Sequence, residues 1–93
     1  MAVDPNMPIL IVDDYKTMLR IIRNLLRQLN FTNIEEATDG SMALRKLREA
    51  PFSLVISDWN MEPMTGLQLL KEVRADAKLK DMPFIMITAE AKT

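Results

Sequence analysis

Three short runs of unbroken Ile, Leu, Val, Met and Phe, from Ile9 to Val12, Leu54 to Ile56 and Phe84 to Ile87, constrain this chain more than any other feature. Unbroken apolar runs of this length are the pattern of parallel strands covered on both faces. A fourth run, Ile34 to Ala37, is weaker, as an edge strand would be. Helical patterns fill the gaps. From Tyr15 to Leu29 the apolar residues Met18, Ile22, Leu25, Leu26 and Leu29 recur at spacings of three and four, with Arg20, Arg23, Arg27 and Gln28 mostly on the other side. Ser41 to Glu49 repeats the pattern through Ala43, Leu44 and Leu47, and Gly66 to Arg74 through Leu67, Leu70 and Val73. Asp39-Gly40, Pro51, Pro63 and Pro83 break it at the junctions.

The resulting order, β-α-β-α-β-α-β, predicts an α/β fold: a doubly wound parallel sheet with right-handed crossovers. In such sheets ligands bind beyond the carboxyl ends of the strands, where the winding reverses. The residues just after each run are therefore the ones that matter for function.

Composition narrows the chemistry. Twelve Lys and Arg against thirteen Asp and Glu give a net charge of −1, which offers no general attraction to nucleic acid or acidic lipid. Cysteine and histidine are both absent, so thiolate chemistry, zinc sites of the usual kind and a histidine base are excluded, and hard oxygen ligands remain. No run approaches the about 18 apolar residues that a membrane span needs, and a cytoplasmic protein is expected. The residues before Pro8 read as a flexible lead, and there is no internal repeat or low-complexity tract.

Asp13 and Asp14 follow the first run, Ser57, Asp58, Trp59 and Asn60 the third, and Thr88, Ala89 and Glu90 the fourth. Three aspartates are thus expected to converge. Carboxylates held close raise one another's pKa, so such a cluster is costly unless a cation sits in it. Mg²⁺ suits the site, because it takes about six oxygen ligands and commonly combines few carboxylates with water and phosphate oxygens. Each residue also has a plainer reading. Asp14 could cap the helix at Tyr15, Asp58 and Asn60 could form a turn, and Thr88 could end a strand. A turn, however, does not call for acids at the ends of both central strands. Trp59 and the eight methionines read as packing residues, with Trp59 partly exposed beside the site, and the arginine stripe reads as a solvated helix face.

The strings ILIVDD, EEATDG, VISDWNM, LLKEVRAD and MITAEAK resemble, in order, the blocks of the chemotaxis response regulators of the CheY type. The resemblance implies a flavodoxin-like receiver fold with strand order 2-1-3-4-5. It implies that Asp58 is the phosphoacceptor, that Asp14 and Asp58 bind Mg²⁺ directly, Asp13 mostly through water, and Asn60 through its carbonyl. Thr88 and the Ala89 N–H would contact the phosphoryl group, and Asn60 and Glu90 would flank the water that removes it. The implied partners are a CheA-like histidine kinase and the flagellar motor switch. The chain is not a conventional enzyme in this reading, although it would dephosphorylate itself.

The resemblance runs from Pro8 onward, so residues 8–93 are expected to form a partial receiver domain behind a lead of residues 1–7. The family domain continues with a fourth helix, a fifth strand and a fifth helix. Those elements carry a lysine and an aromatic switch residue, and Lys92 is not expected to replace the lysine. An uncovered apolar edge at Phe84 to Ile87 would favour a dimer or domain swap. Two alternatives stand beside the phosphoacceptor. One is a signalling-incompetent fragment that keeps only the acidic pocket. The other is an aspartyl-nucleophile phosphatase of the haloacid dehalogenase type, whose DxD arrangement after the first strand is missing here. Nucleotide hydrolysis lacks its glycine-rich phosphate loop.

Overall fold

The computed structural model describes residues 4–62 and 64–87. Strands β1 (Ile9–Val12), β2 (Ile34–Ala37), β3 (Leu54–Asp58) and β4 (Phe84–Ile87) alternate with helices α1 (Lys16–Gln28), α2 (Gly40–Glu49) and α3 (Gly66–Ala75). The strands pair in parallel in the order β2-β1-β3-β4. That order accounts for the sequence of each strand. Central β1 is apolar throughout and wholly buried, whereas β2 lies at an edge and tolerates Glu35 and Glu36. Among the described residues β4 is the other outer strand, and Ile85 is 49% exposed. Its unbroken apolar run predicts cover on both faces, and the described residues supply only part of that cover.

Successive side chains of a strand point to opposite faces, so each central strand feeds two cores. Ile9, Ile11 and Ile56 pack under Leu19, Ile22 and Leu26 of α1. Leu10, Val12 and Val55 pack under α2 and α3 through Ala43, Leu47, Leu69 and Val73. With α1 on one face and α2 and α3 on the other, the winding reverses between β1 and β3. The crevice at their carboxyl ends is the expected ligand position.

Two readings of α1 need correction. Leu25 and Leu29 are exposed, and the buried stripe is Leu19, Ile22 and Leu26. At 100° per residue, Leu25 and Leu29 join Ile21 on an exposed flanking stripe, while Met18 on the same side is partly buried against the core. The arginine side is not wholly solvated either, since Arg23 Nε donates to Glu36 of β2 at 2.8 Å. The helix ends cleanly. Asn30 adopts φ 72°, its N–H donates to the Arg27 carbonyl, and the Phe31 N–H donates to Leu26, a paired closure that Asn tolerates better than most side chains.

Before β1, the Asp4 carbonyl accepts from the Met7 N–H at 3.1 Å, and Asn33 donates to the Asn6 carbonyl at 3.1 Å.

Candidate metal and phosphoacceptor site

β1 ends at Val12, yet the Asp13 N–H still donates to the Ala37 carbonyl at 3.1 Å. The ladder therefore carries Asp13 to the mouth of the sheet, where it is 3% exposed. Its carboxylate accepts the Tyr15 N–H at 2.9 Å, an Asx turn that directs the chain into α1. The N-cap of α1 is Tyr15, with no side-chain cap, so the plainer reading of Asp14 as the capping acid fails. Asp14 is exposed at the rim.

Asp58 closes β3. The register pairs Val12 with Ser57, so Asp58 stands level with Asp13 across the central strand pair. Carboxylate oxygens of Asp13, Asp14 and Asp58 lie within 4.8 Å of one another. The electrostatic consequence appears at the most buried of the three. Burial, with the charges of Asp58 and Asp14 and a hydrogen bond that protonated Asp13 donates to Asp14, raises the Asp13 pKa to about 6, against the opposing pull of the Tyr15 N–H. Three acids in one pocket cost free energy that a divalent cation would recover, and an all-oxygen donor set fits Mg²⁺ rather than a softer metal. Asp13, Asp14 and Asp58 are the residues that could hold it.

Asn60, Met61, Glu62 and Thr65 join Asp14 around an open recess of about 350 Å³ at this end of the sheet. Asn60 is thus placed beside Asp14. Thr88, Ala89, Glu90 and Lys92 lie outside the described residues. Trp59 is 46% exposed, in keeping with its expected place at the edge of the site, and Tyr15 is 61% exposed, so two aromatic side chains flank the acids. Ser57, placed by its position at a strand end but assigned no role from the sequence, is a wholly buried hydroxyl whose Oγ donates to the Asp58 carbonyl at 3.0 Å.

The response regulator receiver domain family matches residues 9–93. The chain belongs to that family. As a receiver domain it is 58% identical over 87 residues to the chemotaxis protein CheY-3 of Vibrio cholerae, covering 94% of this chain and 67% of the relative. The chemotaxis protein CheY of Pseudomonas aeruginosa is also 58% identical, over 92% of this chain and 69% of the relative. Among solved structures, the chemotaxis response regulator CheY4 of Vibrio cholerae superposes with a TM-score of 0.83 at 34% identity, covering 94% of this chain and 72% of that one. The receiver domain of a Pseudomonas aeruginosa sensor histidine kinase superposes at 0.84 with 26% identity, covering 92% and 70%. That structure has a magnesium ion coordinated in its active-site cleft. The fold expected of a CheY-type receiver is therefore present, with an acidic cluster that could hold a metal ion at the carboxyl ends of its central strands. No described helix is long and apolar enough to cross a membrane.

Proposed function

We propose that this receiver domain takes a phosphoryl group from a histidine kinase onto Asp58, with Mg²⁺ held by Asp13, Asp14, Asp58 and the Asn60 carbonyl. The observation that carries the reading is the convergence of three carboxylates at the reversal of winding. A carboxylate is ordinarily ionised at neutral pH, so an acceptor aspartate needs no general base. An Asp58 oxygen attacks phosphorus, the bond from phosphorus to the donor nitrogen breaks, and its electron pair returns to that nitrogen. The product is an acyl phosphate, which water hydrolyses, so the signal is transient. Bound Mg²⁺ supplies neutralisation of the charge on carboxylate and phosphoryl oxygens. Asp13 and Asp14 position the acceptor by holding that charge, and Thr88 and the Ala89 N–H act as donors to the phosphoryl group.

In this reading the receiver unit spans residues 8–93 behind a lead of residues 1–7, and it works in the cytoplasm. The chemotaxis relatives favour a CheA-like kinase as donor and the flagellar motor switch as target. Incubation with a small phosphodonor and Mg²⁺, followed by a phosphate-affinity gel, tests the first step. Wild type shifts and Asp58→Asn does not; equal mobility of the two ends the proposal. Turnover of a simple phosphomonoester would instead favour the phosphatase alternative.

One observation supports self-association of the 93-residue chain as well. Ile85 on the outer strand, Ile21 and Leu25 on α1, and Leu29 at its C-cap are large exposed apolar residues. Light scattering coupled to size exclusion should show a dimer, by edge pairing or by swapping, at high protein concentration. A clean monomer there argues against it.

A further inference from the structure

The backbone behind Asp58 is more closely held than that of an ordinary strand end. The Trp59 N–H donates to the Ile87 carbonyl at 2.9 Å, and the Trp59 carbonyl accepts the Gly66 N–H at 2.9 Å, which closes the loop from β3 onto the first residue of α3. The Asp58 carbonyl between them accepts from the buried Ser57 hydroxyl at 3.0 Å. Gly66 lies directly against that same carbonyl. A Cβ added to Gly66 would fall on the Asp58 carbonyl oxygen, 3.1 Å from its carbonyl carbon and 2.7 Å from Met86 Sδ. No positive φ is involved at Gly66, so its lack of a side chain serves close approach and not backbone freedom.

We infer that Gly66 and Ser57 are positioning residues for the phosphoacceptor: together they fix the Asp58–Trp59 peptide, and through it the direction in which the Asp58 carboxylate enters the acidic pocket. The inference rests on the function proposed above. The Asp58 side chain has only two torsions of its own, so a turned peptide carries the carboxylate with it. The Met86 thioether can swing away from an added methyl group, but the Asp58 carbonyl belongs to the strand and cannot yield without moving the acceptor. Mg²⁺ demands near-ideal octahedral geometry, and a misplacement of ~1 Å in a reacting group costs on the order of 10²-fold in rate. Ser57 acts from the other side, where its hydroxyl holds the carbonyl from within the core.

The test uses the whole chain and two readouts, Mg²⁺ affinity from Trp59 fluorescence and the rate of phosphorylation by a small phosphodonor. Gly66→Ala should weaken Mg²⁺ about 10- to 100-fold, the range found when groups that orient metal ligands are removed. It should slow phosphorylation by at least as much. Ser57→Ala, which leaves the backbone unobstructed, should give a smaller loss of the same kind and covers the case in which Gly66→Ala does not fold. Leu69→Ala loosens the buried side of α3 away from the acceptor, and should lower stability while leaving the Mg²⁺ affinity of the folded protein unchanged. Adding Met86→Ala to Gly66→Ala should not restore binding. Restoration by Met86→Ala, or wild-type affinity and rate in both Gly66→Ala and Ser57→Ala, overturns the inference. Asp14→Asn in the same titration separates the two claims: if it binds Mg²⁺ as wild type does, the proposed function itself has failed.

Discussion

The acids of β2 and those at the carboxyl ends of β1 and β3 carry the same charge in opposite settings. Glu36 takes a 2.8 Å ion pair from Arg23, and Glu35 one of 3.4 Å from Lys46, which also donates to the Glu36 carbonyl at 2.9 Å. Asp13, by contrast, is buried and faces Asp14 and Asp58, and its pKa rises to about 6. The edge-strand acids are placed for stability, and the strand-end acids against it. A fold that neutralises its acids on one strand but gathers them at the ends of the next two leaves the second set able to hold a cation.

The largest effect that sharpens this contrast lies in neither set. Leu69→Ala or Leu10→Ala, both wholly buried positions, should cost about 2–5 kcal/mol in urea unfolding. The folded fraction should still bind Mg²⁺, because the core supports the site without forming it.

Next comes Asp13. Its pKa is higher in the folded protein than the ordinary 3.8, so the folded state binds the proton more tightly. The associated stability is complete below about pH 4 and is lost as pH rises through about 6. A shift of about two units corresponds to about 3 kcal/mol at most. Metal-free wild type should therefore weaken between pH 4 and 7. Asp13→Asn, whose amide oxygen can still accept the Tyr15 N–H, should lose that slope, gain stability at pH 7 and bind Mg²⁺ less well. Unfolding curves across that pH range check it, and a flat wild-type profile would remove the claim of mutual repulsion.

A smaller effect concerns the helix that follows the site. The Thr65 hydroxyl accepts the Gln68 N–H, and the Gln68 side chain accepts the Thr65 N–H, a reciprocal cap on α3. Thr65→Ala should cost ~1 kcal/mol. The smallest effect belongs to the paired acids: Arg23→Ala should cost under about 1 kcal/mol, because the ion pair is partly exposed. A larger loss there would blur the contrast between the two sets.

Much of the fold was legible because it is written in local pattern. Unbroken apolar runs located β1 and β4 to the residue, the weaker run Ile34 to Ala37 located β2, and strand-end acids pointed to the crevice. β3 ran two residues further than its apolar run, because Ser57 and Asp58 continue the ladder beside Val12 and Ile87. The inward face of α1 was misread because apolar residues occupy two adjoining stripes, and only the packed sheet decides between them. The roles of Ser57 and Gly66 were not legible, since each follows from contact with one carbonyl that no spacing reveals. The same holds for Asp14: any acid before a helix suggests a cap, and only the structure shows Asp13 making that turn.

Urea unfolding at pH 7 with and without Mg²⁺, run on wild type and on Asp14→Asn, tests the shared acidic pocket most directly. A ligand that binds only the folded state raises its stability in proportion to occupancy. Mg²⁺ should move the wild-type midpoint upward and leave Asp14→Asn nearly unmoved. An unchanged wild-type midpoint at millimolar Mg²⁺, or an equal rise in both proteins, would contradict it.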